Sequence, residues 1–237
     1  MADINIRIPK RNLKVLRRAR LLDLLHNNIH RKLSFICAPA GYGKTTLLVD
    51  FAEDVDAEIF WYRILEQDTS LAAFYESLVQ AFQVKIPSFG SNQEGLSQTG
   101  DHTPRSLAIS LAAIIEESID LYSIMVIDDY HIISDDPEIN DFMDTFLEFL
   151  PDQLRILIGS RSVYGIPTAA LYIQEQLSVI SSSELAFIPN ELIDLCRQYY
   201  QIDLHPDHAQ RIIEESEGWI IAILLALRTE NTTIEIP

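Results

Sequence analysis

The chain is poor in cysteine and in positive charge and has no long apolar run, and each scarcity removes a class of protein. Two cysteines in 237 residues, Cys37 and Cys196, give neither the spacing of a zinc site nor a disulfide framework. Both read as small buried hydrophobes. The longest apolar stretch, Trp219 to Leu227, is too short to span a bilayer. Met1-Ala2-Asp3-Ile4-Asn5 opens without the apolar core of a signal peptide, so the expected setting is the cytoplasm, with no membrane partner. Only 18 Lys and Arg face 35 Asp and Glu, and the net charge of −17 argues against a general polyanion binder. What basic charge there is sits at one end. Residues 1–32 hold nine Lys and Arg against Asp3 and Asp23, a balance of +7 that leaves −24 for the other 205 residues. Such a cluster is either a nucleic-acid footprint or a solvated helix face balancing an acidic body.

With 48% hydrophobic residues the chain can bury a sizeable core, enough for one α/β domain and a smaller appended one. Leucines 13, 16, 21, 24 and 25 recur at helical spacing over 13–26. Apolar runs at 33–37, 59–64, 124–129 and 154–161 predict strands, and a last strand is expected at Leu177–Ile180 or Glu184–Phe187. Helical patterns follow Lys44, span 71–82, 105–118 and 139–150, and recur near 168–177. Residues 85–106, rich in Ser, Gly, Gln and Pro, predict an exposed excursion. Strands alternating with helices predict a five-stranded parallel sheet covered on both faces. From Pro189 the pattern is helical only, with helices expected at 191–201, 206–216 and 219–229. The expected division is therefore 1–188 and a small all-α domain at 189–237.

Ala38-Pro39-Ala40-Gly41-Tyr42-Gly43-Lys44-Thr45-Thr46, directly after the first strand, has the form of a phosphate-binding P-loop. The glycines let the backbone turn several N–H groups toward one point, and the following helix directs the positive end of its dipole there. Lys44 would reach the β/γ oxygens of a triphosphate, and the Thr45 hydroxyl would join a Mg²⁺ shell. Ala38 stands where the pattern usually has glycine. Asp128 ends an apolar strand 84 positions after Lys44, which suits an acid that holds Mg²⁺. Asp129 beside it could activate a water or could merely cap the next turn. Arg161 ends the following strand and is expected at the same sheet edge, within reach of a γ-phosphate. His131 is either a γ-phosphate neighbour or an ordinary turn residue. His26 and His30 lack an acidic or sulfur ligand beside them, and His205 and His208 flank a helix start. The guanine-reading Asn-Lys-x-Asp is absent, which favours adenine.

Together these motifs resemble the STAND P-loop NTPases, and among them the maltose-regulator type of LuxR-like transcriptional activators. The P-loop with Ala38, Val126-Ile127-Asp128-Asp129-Tyr130-His131 as a Walker B and Gly159-Ser160-Arg161 as a sensor arginine are similar to that family's. Glu184-Leu185-Ala186-Phe187 resembles the segment entering its helical lid, and Glu217-Gly218-Trp219 the lid turn that packs against nucleotide. Arg20-Leu21-Leu22 resembles an N-terminal motif near the base and phosphates; Arg18 and Arg20 are accordingly expected to face bound nucleotide. The resemblance implies a P-loop NTPase sheet domain followed by a helical lid, binding ATP or ADP with Mg²⁺. It implies ADP in a resting form, exchange for ATP on induction, self-association of the ATP-bound full-length protein and a slow ATPase that resets the state. In such relatives winged-helix, sensor and DNA-binding parts follow the lid, so this chain is expected to be the nucleotide-binding module alone, with DNA contacted only by a part outside it. A small-molecule kinase and a non-hydrolysing interaction module are the alternatives. A second substrate pocket opposite Lys44 would mark the first. For the second, Asp129→Ala would change binding without changing turnover.

Overall fold

Strands buried on both faces need apolar side chains at nearly every position, and five such runs build the sheet. The computed structural model of the chain describes residues 5–12, 15–91, 103–163, 165, 166 and 168–230. Its strands are β1 (Leu33–Cys37), β2 (Glu58–Arg63), β3 (Ser123–Asp128), β4 (Leu154–Ser160) and β5 (Leu177–Ile180), all parallel, in the order β2-β3-β4-β1-β5. Successive side chains point to opposite faces. Phe35, Phe60, Tyr62, Met125, Ile127, Ile156 and Ile158 therefore join one core cluster, and Ile36, Ile59, Trp61, Ile124, Val126 and Leu157 the other.

The first face is covered by α3 (Leu71–Gln83), α4 (Pro104–Ser118) and α5 (Pro137–Glu148), and the second by α1 (Ala19–Asn28) and α2 (Lys44–Asp54). Side-chain caps start three of these helices: Ser70 accepts from Ala73 N, Thr103 from Ser106 N, and Asp136 from Glu138 N and Ile139 N. The connection between α3 and α4 falls partly on residues 92–102, outside the described residues, as does part of the expected excursion. After β4 come α6 (Ala169–Ile173) and, past β5, α7 (Ser182–Leu185). A third cluster forms from α8 (Pro189–Leu195), a π turn at Cys196–Tyr200, α9 (Pro206–Ser216) and α10 (Ile220–Glu230). Leu16 and Phe187 belong to that third cluster too, so the start of the chain packs against the helical unit near its end.

Three expectations need correction. The first helix begins at Ala19, not 13: its N-cap residue Arg18 makes no side-chain cap, and residues 8–12 and 15–18 form an irregular strap held by ion pairs of Arg11 to Asp50 and Arg17 to Asp54. Leu13 lies outside the described residues. Of the two places expected for the last strand, Leu177–Ile180 forms it and Glu184–Phe187 does not, because Ser181 and Glu184 form a capping box that opens α7. The helix expected over 191–201 loses regular pitch at Cys196, and Gln201 ends it in a left-handed conformation.

Candidate nucleotide site

The parallel order carries the carboxyl ends of β1, β3 and β4 to one edge, the side where open α/β sheets bind ligands. Although β2 separates β1 from β3 in sequence, β4 separates them in space. The P-loop leaves β1 with Ala38 N–H donating to Ser160 O at 3.2 Å, so its start is fastened to the end of β4, next to Arg161. Gly43, left-handed at φ 80°, opens α2.

Lys44 is folded into the loop and donates from Nζ to Ala38 O at 2.7 Å and Pro39 O at 3.1 Å. Burial pushes its pKa down, while Asp128 and Asp129 act the other way. Thr45 Oγ1 donates to Asp128 Oδ2 at 2.7 Å, joining the start of α2 to the end of β3. Asp128 is fully buried, and that burial raises its pKa against the opposing Thr45 bond. The carboxylate fits because β4 offers a glycine: a Cβ on Gly159 would stand 2.6 Å from Asp128 Oδ1. A hydroxyl beside a carboxylate is a donor set that suits Mg²⁺, which takes one or two carboxylates and leaves other positions to phosphate and water. Among the described residues no cluster of three or more His, Cys, Asp or Glu would hold a metal by itself.

Asp129 is left-handed at φ 60°, and its Oδ2 accepts from Arg63 Nε at 2.9 Å. Sequence reasoning missed Arg63. Its position at the end of the apolar run was visible, but its neighbour was not: β2 closes with Arg63 in register with Asp128, a cation at the carboxyl edge. Arg161 is exposed at that edge, close enough for its charge to lower the pKa of both Lys44 and His131. Burial is the larger influence on His131, whose Nδ1 is enclosed without a hydrogen-bond partner.

The helical unit reaches this edge. Trp219 Nε1 donates to Ala40 O at 3.3 Å, and a Cβ on Gly41 would stand 2.4 Å from Ile221 Cδ1. Beside α2 lies a mostly apolar cavity of about 180 Å³, walled by Val15 and Leu16 of the strap, Tyr42, Gly43, Thr46 and Leu47 of the P-loop and α2, and Phe187 and Ile220. Arg18 also lines it; Arg20 does not. Expected near base and phosphates, Arg20 instead donates to Glu184 O, Ala186 O and Glu191. Glu191, 8% exposed, is the other residue missed; Pro189-x-Glu191 at a helix start was its visible mark.

The AAA domain family matches residues 27–168, more than half of the chain and all of the edge just described except the helical unit and the strap. The chain belongs to the AAA-domain family of P-loop NTPases. It is 33% identical over 215 residues to the HTH-type transcriptional regulator MalT of Yersinia pestis (strain Pestoides F), covering 90% of this chain and 24% of the relative. It is 32% identical over 215 residues to MalT of Yersinia enterocolitica, with the same coverage. The chain spans about a quarter of the length of these curated relatives. In fold it is similar to a STAND protein with a tetratricopeptide repeat sensor from Pyrococcus horikoshii (TM-score 0.65, 16% identity, 99% of this chain and 32% of that one). It is also similar to a Walker-type ATPase of Pyrococcus abyssi (TM-score 0.53, 12% identity, 98% and 72%). No helix among the described residues is long and apolar enough to cross a membrane.

Proposed function

We propose that this domain is an adenine-nucleotide switch that binds ATP or ADP with Mg²⁺ and hydrolyses ATP slowly. The pairing of Thr45 with Asp128 at the mouth of the P-loop, 2.7 Å apart, carries the reading, because it gathers a hydroxyl and a carboxylate where a bound triphosphate needs a cation. Bound there, Mg²⁺ would neutralise charge on the β and γ oxygens. Lys44 would exchange the Ala38 and Pro39 carbonyls for phosphate oxygens, and Arg161 would recognise the γ-phosphate with its rigid donor fork. Asp129 would orient or deprotonate the attacking water. The apolar cavity between strap, α2 and helical unit would take the base, and Gly218 and Trp219 would close over the nucleotide as a lid turn. Turnover below the ~10 s⁻¹ typical of metabolic enzymes follows from an Asp at position 129 that is held by Arg63. Within a longer protein of the MalT kind, the switch would govern self-association in the cytoplasm, and DNA would be met by a part outside this chain.

Titration calorimetry of ATP with Mg²⁺ on wild type and Lys44→Ala tests the binding. Equal affinity in both overturns the P-loop assignment. The Arg63–Asp129 ion pair favours a second reading, a module that binds without hydrolysis, since Arg63 Nε already occupies Oδ2 of that carboxylate. Phosphate release that Asp129→Ala leaves unchanged, with binding altered, selects that module.

A further inference from the structure

We propose that Arg18 and Glu191 are positioning residues of the nucleotide site: they fix the hinge between the sheet domain and the helical unit and so set how closely the cavity shuts on its ligand. The proposal rests on the reading of that cavity as a nucleotide pocket.

The two residues lie 173 positions apart and are both more than nine-tenths buried. Arg18 donates from Nε and Nη2 to Glu191 Oε2 at 3.1 and 2.8 Å, from Nη1 to Leu185 O at 2.7 Å and from Nη2 to Ala186 O at 2.8 Å. Four of five guanidinium N–H groups are thereby used. Arg20 takes the neighbouring carbonyl, Glu184 O, at 2.9 Å. Glu191 also accepts from Ile188 N at 3.3 Å, capping α8. The connection from α7 to α8 is therefore held by side chains from the other end of the chain.

What this connection carries gives the pair its function. Phe187, under the Arg18 guanidinium with 4.1 Å from its Cζ to the ring centroid, walls the cavity. Its backbone N–H donates to Gly218 O at 2.9 Å, next to Trp219, whose indole reaches the P-loop carbonyl of Ala40. An unbroken series of contacts thus runs from Arg18 through the connection and the Gly218 turn to the P-loop. Arg18 would meet a ligand in the cavity mainly by packing, since four of its five donors are committed elsewhere. A buried ion pair is weak support for stability, because desolvation offsets most of the attraction, but losing one partner strands a charge and forces the surroundings to move. At a hinge, that movement is displacement of the lid.

Glu191→Gln keeps shape and an acceptor oxygen while removing the charge; Arg18→Lys keeps charge and removes the fork. Acrylamide quenching of tryptophan in the nucleotide-free 237-residue protein reads Trp219, since Trp61 is only 2% exposed. Both variants should quench more strongly than wild type. Calorimetry with ADP and with ATP should show both weakened alike, about tenfold, within the roughly 5–150-fold range of coupled sites. Unchanged quenching in a folded Glu191→Gln protein overturns the hinge role, and so does stronger quenching with unchanged nucleotide affinity. If Arg18→Lys fails to fold, Glu191→Gln decides alone. If wild type binds no nucleotide, the pocket reading fails; quenching still decides whether the pair holds the lid.

Discussion

Two glycines share a left-handed backbone but not their surroundings, and substituting each by alanine separates strain from crowding. Gly43 has φ +80° and an added Cβ would meet no heavy atom within 4 Å; Gly218 has φ +69° and its Cβ would stand 2.8 Å from Ala186 Cβ, Phe187 N and Phe187 O. Alanine in that conformation costs about 1–2 kcal/mol at either site. At Gly218, overpacking against backbone adds about 1–3 kcal/mol, for a total of roughly 2–5 kcal/mol. The loss of unfolded-state freedom, about 0.4–1 kcal/mol in alanine's favour, applies to both and cancels in the comparison. For a chain of this size 1 kcal/mol moves the melting temperature by about 2–4 °C, so Gly218→Ala should fall by roughly 4–20 °C and Gly43→Ala by roughly 2–8 °C. Urea unfolding followed by circular dichroism gives the same difference as free energy. Nucleotide binding should rank them in reverse: the open space at Gly43 is where phosphate would approach, so Gly43→Ala keeps its fold and loses ATP. Equal destabilisation by the two substitutions refutes the packing described for the lid turn.

Arg161→Ala should weaken ATP at least tenfold while leaving ADP nearly unchanged, measured by calorimetry, because the γ-phosphate alone needs the guanidinium; equal losses would mark a structural arginine. His131 has its pKa below the ordinary value through burial, so the unfolded chain binds the proton more readily and stability is lost as pH falls through about 6.5. His131→Asn should flatten that decline in urea midpoints between pH ~7.5 and ~5.5, and an unaltered slope would show that another group carries it. The domain by itself should not bind duplex DNA at low salt in fluorescence anisotropy, because Arg11, Arg17, Arg18 and Arg20 are committed to Asp50, Asp54 and Glu191. Micromolar, salt-sensitive binding would contradict this.

The sheet was legible because its strands are nearly continuous apolar runs bounded by turns, and the placement of Lys44, Thr45, Asp128 and Arg161 at one sheet edge was legible because each closes or follows such a run. Periodicity misled where side chains far along the chain decide conformation. Leucines 13 and 16 fit a helix by spacing, yet the acids of α2 draw residues 15–18 out as a strap. Arg20 was expected at the nucleotide because Arg20-Leu21-Leu22 resembles an N-terminal motif of the family. Its partner Glu191 is 171 residues away, a distance that local pattern does not report. Arg63 was hidden for the same reason, since only strand register sets it beside Asp129.

The pairing of the strap with the helical unit also fixes an order of events during synthesis. At ~5–20 residues per second, the 173 residues between Arg18 and Glu191 take on the order of 10–30 s to be made. For that time Arg18 lacks Glu191 and the apolar surface of Leu16 has no helical unit to meet, while Arg11 and Arg17 already have Asp50 and Asp54 to pair with. The parallel sheet closes only once β5 emerges, and the helical unit only after it. The cavity is thus the last part of the domain to exist, completed when the strap meets the helical unit. A pause or a misfolding event before the helical unit is made would leave a finished P-loop with an unfinished pocket.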